Sequence, residues 1–222
     1  MTDPASSISI DVSMAFEGIS LAGYLTVPEH TKGLVVFAHG SGSSRFSQRN
    51  RFVAEILNEA EIATLLFDLL TPEEEDIDLR TREFRFDIDL LTDRLIGVID
   101  WVSRNATTAE FRIGLFGAST GAAAALGAAA ARADKVAAIV SRGGRPDLAL
   151  NHLAQVKAPT LLIVGGEDTV VIGLNQQAAE HLPAEHRLEI VPGATHLFEE
   201  TGKLEQVARL TSDWFLRYLS GS

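Results

Sequence analysis

Cysteine is absent from all 222 residues of this chain. Disulfides, thiolate metal ligands and a thiol nucleophile are therefore excluded together, which suits a reducing compartment and makes the cytoplasm the expected location. Positive charge is also scarce. Nineteen Lys and Arg stand against 30 Asp and Glu, for a formal net charge of −11 and a pI near 5.0. Such a surface repels phosphate backbones and anionic lipid, so neither nucleic acid nor a membrane is an expected partner, and a small molecule is. No apolar run approaches the roughly 20 residues a spanning helix needs. The polar opening, residues 1–9, has no apolar stretch of the kind a secretory signal carries, so none is expected. Internal repeats and low-complexity tracts are lacking too.

What is present is apolar substance: 46% of the residues are hydrophobic, enough for one well-buried core, and no segment reads as a linker. A single domain over 1–222 is expected. Residues 7–14 and 21–27 alternate apolar and polar side chains around Glu17-Gly18, the pattern of an antiparallel hairpin at a sheet edge. From Leu34 the register changes to short continuous apolar runs at 34–38, 63–67, 111–116, 136–140 and 160–164, with a shorter one at 187–191. Helical-period segments at 50–60, 88–103, 120–133, 172–182 and 204–219 separate them. Buried parallel strands joined by crossover helices produce this alternation, so the expected class is α/β: a mostly parallel, doubly wound sheet with helices on both faces and the hairpin at one edge. Residues 68–87, with Glu73-Glu74-Glu75-Asp76 and then Arg80, Arg82 and Arg85, are too polar for a core element and read as a surface excursion near the mouth of the site. Their acidic run has no metal-ligand spacing, and a solvated face is the expected reading.

The segment carrying the most chemistry is Gly117-Ala118-Ser119-Thr120-Gly121, a G-x-S-x-G placed between an apolar run and an Ala-rich helical stretch. Strand, sharp turn and helix with serine at the apex is the geometry that lifts a hydroxyl above the carboxyl edge of a sheet. A serine hydroxyl becomes nucleophilic only when a base takes its proton and an acid holds that base in one tautomer. Both partners must follow strand ends, because a doubly wound sheet builds its site there. Asp168 does so in Gly165-Gly166-Glu167-Asp168, with Glu167 as its competitor. Among six histidines, only His196, in Pro192-Gly193-Ala194-Thr195-His196, lies both downstream of Asp168 and past a strand end. For the oxyanion, the N–H of Thr120 is one expected donor and that of Ser41, with Gly42 beside it, the other, from the loop His39-Gly40-Ser41-Gly42. His39 is read as shaping that loop. The loop lacks the Lys of a P-loop, so it is not read as cradling a phosphate, and the reaction requires neither metal nor cofactor.

These segments, together with Ser141-Arg142-Gly143-Gly144-Arg145-Pro146-Asp147, resemble the α/β-hydrolase superfamily, and within it the dienelactone-hydrolase-like group, over nearly the whole chain. The resemblance implies Ser119 as nucleophile, Asp168 as acid and His196 as base. It departs from dienelactone hydrolases proper, which use cysteine where this chain has Ser119, so a serine esterase is expected rather than a lactone specialist. Arg142 has two readings: a guanidinium that binds an anionic substrate group, or, together with Arg145, a partner in local ion pairs with Asp147 and other nearby acids. The stretch between 140 and 160 is too short for a large lid, so an open pocket for short or compact esters is expected. Acyl transfer, thioester cleavage and a binding module with little turnover would use the same parts, and nothing in the sequence fixes the oligomeric state.

Overall fold

The structure, a computed structural model, describes residues 7–221; the opening residues discussed above as lacking a signal sequence lie largely outside that range. Its centre is one eight-stranded sheet: β1 (Ser7–Phe16), β2 (Ile19–Pro28), β3 (Leu34–Ala38), β4 (Ala63–Phe67), β5 (Ile113–Ala118), β6 (Val136–Arg142), β7 (Thr160–Gly165) and β8 (His186–Val191). The spatial order is β1-β2-β4-β3-β5-β6-β7-β8. Only β1 with β2 and β2 with β4 run antiparallel; β4, β3, β5, β6, β7 and β8 pair in parallel. The hairpin turns on Glu17 and Gly18, with φ of 50° and 81°, the left-handed pair that a two-residue turn needs to match strand twist.

Seven α-helices accompany the sheet among the described residues: α1 (Gln48–Glu59), α2 (Pro72–Thr81), α3 (Ile88–Val102), α4 (Thr120–Ala131), the single turn α5 (Leu150–Leu153), α6 (Thr169–Ala179) and α7 (Lys203–Leu219). The fully buried strands β3, β4, β5 and β7 present side chains alternately to two cores. Val36, Leu65, Leu115 and Leu162 face a core that also holds Leu95, Val98 and Ile99 of α3 and the alanines of α4. Val35, Phe37, Phe116 and Ile163 face one completed by Val53 and Leu57 of α1 and Val207, Trp214 and Phe215 of α7. Ten of the twelve residues of α4 are buried, which explains its alanines: a helix enclosed on all sides must be small to lie against both α3 and the sheet.

Three boundaries differ from expectation, with consequences for the site. β5 begins at Ile113, not 111, because Phe111 closes a turn onto the Thr108 carbonyl; it runs on to Ala118, directly abutting Ser119. β6 extends to Arg142, so this arginine is the last residue of a strand rather than part of a following loop. And the polar stretch 68–87 contains a helix. Thr71 accepts from the Glu74 N–H while the Glu74 carboxylate accepts from the Thr71 N–H, a capping box with Pro72 in the first turn. The sequence signal Thr71-Pro72-Glu73-Glu74 was there to be read; its charge obscured it.

Candidate active site

All the parallel strands deliver their carboxyl ends to one edge, and the groups of interest collect there. Ser119 stands at φ 51°, ψ −119° between β5 and α4, a backbone region that costs a non-glycine residue about 1–3 kcal/mol. The surroundings hold it. Its N–H donates to the Arg142 carbonyl (3.1 Å), and its own carbonyl accepts from Arg145 (3.1 Å) and Ala122 (3.1 Å). Glycines make the fit possible: a Cβ on Gly117 would overlap the Ala122 backbone, and one on Gly121 would overlap the carbonyl oxygens of Ala38 and His39. The serine is half-buried.

Asp168 occupies the first position before α6 but does not cap it. Its carboxylate turns instead to His196, with Nδ1 and Oδ2 2.6 Å apart. Two loops must lie against each other for this contact, and the double glycine permits it. Gly166 N–H donates to the Val191 carbonyl (2.8 Å) and Glu167 N–H to the Ala194 carbonyl (3.0 Å), while any side chain on Gly165 would collide with the Ala194 and Thr195 carbonyls. Glu167 faces solvent, which separates it from Asp168 by geometry. Beyond His196, the loop is pinned by buried Phe198, 1% exposed, and by the Glu200 carboxylate accepting from the Thr195 N–H at 3.1 Å.

Ser119 and His196 flank one turn. Gly143 within it packs against the imidazole, a Cβ there falling 3.4 Å from Cε1 and 3.5 Å from Nδ1, and Arg142 and Arg145 on either side bond to the Ser119 backbone. No hydrogen bond joins the Ser119 hydroxyl to His196 among the described residues. Such contacts commonly tighten only when substrate is bound.

The loop after β3 lies over Ser119. His39 is buried, and its tautomer is fixed by its neighbours: Nε2 accepts the Leu69 N–H at 3.1 Å, so Nδ1 carries the proton and donates to the Gly40 carbonyl at 3.0 Å. Burial lowers its pKa below the ordinary 6.5, outweighing the Gly40 carbonyl and Asp68; a neutral, doubly bonded imidazole shapes the loop and has no free nitrogen for base chemistry. Of the two expected donors, the Thr120 N–H is the first of α4 and so has no acceptor within the helix. The Ser41 N–H, by contrast, donates to the Thr120 hydroxyl at 2.9 Å, so it is engaged in this state. Gly42, at φ 68°, packs against Arg85, whose Nη1 lies 3.2 Å from a Cβ built there.

Arg85 leads to a feature that sequence reasoning missed. Asp78 of α2 is 1% exposed and collects the Arg85 Nε (2.6 Å) and the N–H groups of Phe84 (2.9 Å) and Arg85 (3.0 Å). Burial works against the charge, but these donors prevail and hold its pKa below the usual carboxylate value. The far end of the excursion is thereby tied back onto α2, with Arg85 packed against Gly42. Between them lies a recess of only about 10 Å³, lined by His39 to Ser43, Leu69, Leu70 and Arg85. The two large clefts, about 680 and 830 Å³, lie elsewhere on the molecule, beside Trp101 and beside Tyr24, and neither is lined by Ser119 or His196. Among the described residues no large lid stands over the site.

For Arg142 the structure separates the two readings. Asp147 pairs with Arg145 through two bonds (2.8 and 2.7 Å), and among the described residues no carboxylate pairs with Arg142. It is 7% exposed, and burial, with the Arg49 charge adding to it, pushes its pKa down to about 10.

Comparison with known proteins places the fold. The dienelactone hydrolase family matches residues 21–219. The chain belongs to that family. A crystal structure of dienelactone hydrolase from Anabaena variabilis is 57% identical, with a TM-score of 0.95 over 96% of this chain and 99% of that one. Est1E from Butyrivibrio proteoclasticus, seen with ferulic acid bound, shares the fold at 18% identity, TM-score 0.79, over 93% and 98% of the two chains. Two relatives in strains of Mycobacterium tuberculosis, provisionally named phosphoribosyl transferases, are 59% identical over 211 residues. That match takes in 95% of this chain but 47% of theirs, so the chain spans about half the length of these relatives. The α/β-hydrolase fold and family membership support a hydrolase.

Proposed function

We propose that the chain is a serine carboxylic-ester hydrolase. The observation that carries this reading is the 2.6 Å contact between His196 Nδ1 and Asp168 Oδ2, beside a serine held at the apex of a strained strand-to-helix turn. His196 Nε2 takes the Ser119 proton as Oγ forms its bond to the ester carbonyl carbon. The resulting oxyanion is met by the Thr120 N–H and, once the Thr120 hydroxyl turns away, by the Ser41 N–H, with Gly42 following in the same turn. His196 then gives its proton to the departing alkoxide, leaving an acyl group on Ser119, and water repeats the sequence to release the acid. Asp168 keeps the proton on Nδ1 and stabilises the imidazolium. Neither metal nor cofactor enters, and the partner is a small ester rather than nucleic acid or membrane. The open edge suits short or compact acyl groups, and the absence of cysteine suits the cytoplasm.

The name of the mycobacterial relatives refers to phosphoribosyl transfer, so esters of phosphate-bearing compounds belong in the substrate panel beside simple ones. The test is hydrolysis of p-nitrophenyl esters of graded chain length, with fluorophosphonate labelling, by wild type and Ser119→Ala. Turnover and label that vanish together in the variant and peak at short chains support the reading. A wild type that neither labels nor turns over any ester overturns it in favour of a binding module.

A further inference from the structure

The two outer edges of the sheet are built differently. At one end β8 carries His186, Arg187 and Glu189, the last two joined as an ion pair, and charges on an edge keep another chain from adding to it. At the other end β1 has Asp11 as its one charge and no proline, and among the described residues no strand pairs with its outer side. Phe16 and Ile19 close the two-residue turn, so the backbone groups of Ile8, Ile10, Val12, Met14 and Phe16 point to β2, and those of Ser7, Ser9, Asp11 and Ser13 point outward. The next strand agrees: Ala22, opposite Ser13, turns its carbonyl away from β1 to accept the Asp68 N–H at 3.0 Å. The side chains of Ile8, Ile10 and Val12 share the face of buried Met14 and Leu25. Yet Ile8 is 68% and Ile10 43% exposed, so this apolar stripe runs past its cover at an edge with unpaired backbone groups.

We propose that β1 is the contact surface of a homodimer, in which two copies pair their β1 strands antiparallel about a two-fold axis at Ile10 and so join their sheets. Any extended chain can add to a free edge by main-chain bonds; what singles out a second copy is that β1 is complementary to itself. In this register Ile10 faces Ile10 of the second copy, Ile8 faces Val12, Ser7 faces Ser13, and Asp11 faces Ser9. The outward backbone groups of Ser7, Ser9, Asp11 and Ser13 are then paired, and the exposed isoleucines of both copies form one cluster continuing the stripe from Met14 and Leu25. The two Asp11 carboxylates lie on a diagonal instead of opposite each other. An axis at Asp11 would set them face to face, and an axis at Ser9 would pair residues 7–11 where the Ile10 axis pairs 7–13. The contact is independent of the ester-hydrolase reading.

Sedimentation equilibrium of the full chain from about 1 to 100 µM, the range in which a dimer of micromolar Kd assembles, is expected to show the mass rising from 23.9 kDa to twice that value. Ser9→Pro removes an outward N–H without touching the bonds to β2, and Ile10→Lys sets two like charges on the axis; each should weaken association by about tenfold or more. The absence of cysteine allows the register to be read directly. Across a non-hydrogen-bonded antiparallel pair the Cα atoms are about 4.5 Å apart, within disulfide reach, so mild oxidation should turn Ile10→Cys into a covalent dimer. Ser13→Cys, whose two copies would lie about 20 Å apart along the strands, should cross-link at least about tenfold more slowly. A wild type that stays monomeric at the top of the concentration range overturns the proposal and leaves the edge to solvent or to another protein's strand. So does a dimer that both substitutions leave intact, or one that cross-links at Ser13→Cys as fast as at Ile10→Cys.

Discussion

Replacing Asp168 with Asn removes one charge and almost no volume, which makes it the sharpest probe of the proposed chemistry. In the transition state His196 becomes an imidazolium facing the Asp168 carboxylate across the 2.6 Å contact. With charge centres about 4 Å apart and an effective dielectric near 20, their attraction is about 4 kcal/mol. The exposed part of the ring, 38% against 16% for the Asp168 side chain, lets solvent screen the pair and reduces this to about 3 kcal/mol. At 1.36 kcal/mol per decade, kcat should fall by a factor of about 100 to 1,000. The asparagine can also turn its amide NH2 towards Nδ1 and so favour the tautomer with its proton on Nε2, which cannot accept from serine. Steady-state hydrolysis of p-nitrophenyl butyrate measures the effect, with KM expected to stay within about threefold because Asp168 touches no substrate. Fluorophosphonate labelling should slow by a similar factor. A loss smaller than about tenfold, with labelling at the wild-type rate, would refute the assignment of Asp168 as the orienting acid.

Two further outcomes follow from groups the chemistry does not use directly. Asp78→Ala strands the Arg85 guanidinium and two backbone N–H groups, at a cost of about 3 kcal/mol; thermal melting should show Tm lower by about 6–12 °C for a domain of this size, and an unchanged Tm would mean that α2 is not fastened as described. For His39, whose folded pKa lies below the usual value because of burial, the unfolded chain binds the proton more readily. Stability is therefore complete above about pH 6.5, the unfolded value, and is lost as pH falls from there towards the lower folded value. Urea midpoints at pH 7.5 and 5.5 should show this drop in wild type and a flatter response in His39→Gln; parallel profiles would refute it.

Much of this molecule is written locally. Short continuous apolar runs rich in β-branched residues point to buried strands, an alternating pair around Glu17-Gly18 to an edge hairpin, and G-x-S-x-G between strand and helix carries its own turn. The order Ser119, Asp168, His196 and the placement of each after a strand are likewise sequence properties, so the candidate residues were legible. Their contact was not. That Asp168 rather than Glu167 meets His196 depends on how two loops, 28 residues apart in sequence, press together over Gly165. The helix α2 hid behind its charge, because an acidic first turn reads as solvated surface until the capping geometry shows those carboxylates assisting the helix dipole. Asp78 and Arg85 look like ordinary surface charges in one dimension; burial gives them a structural task. Arg142 shows the limit most plainly. Its sequence neighbour Asp147 made local ion pairing the expected reading, and only the fold, by giving Asp147 to Arg145, left Arg142 with no carboxylate among the described residues. Local pattern fixes which elements form because backbone and side-chain periodicity act over a few residues. Which charges meet is decided by long-range packing.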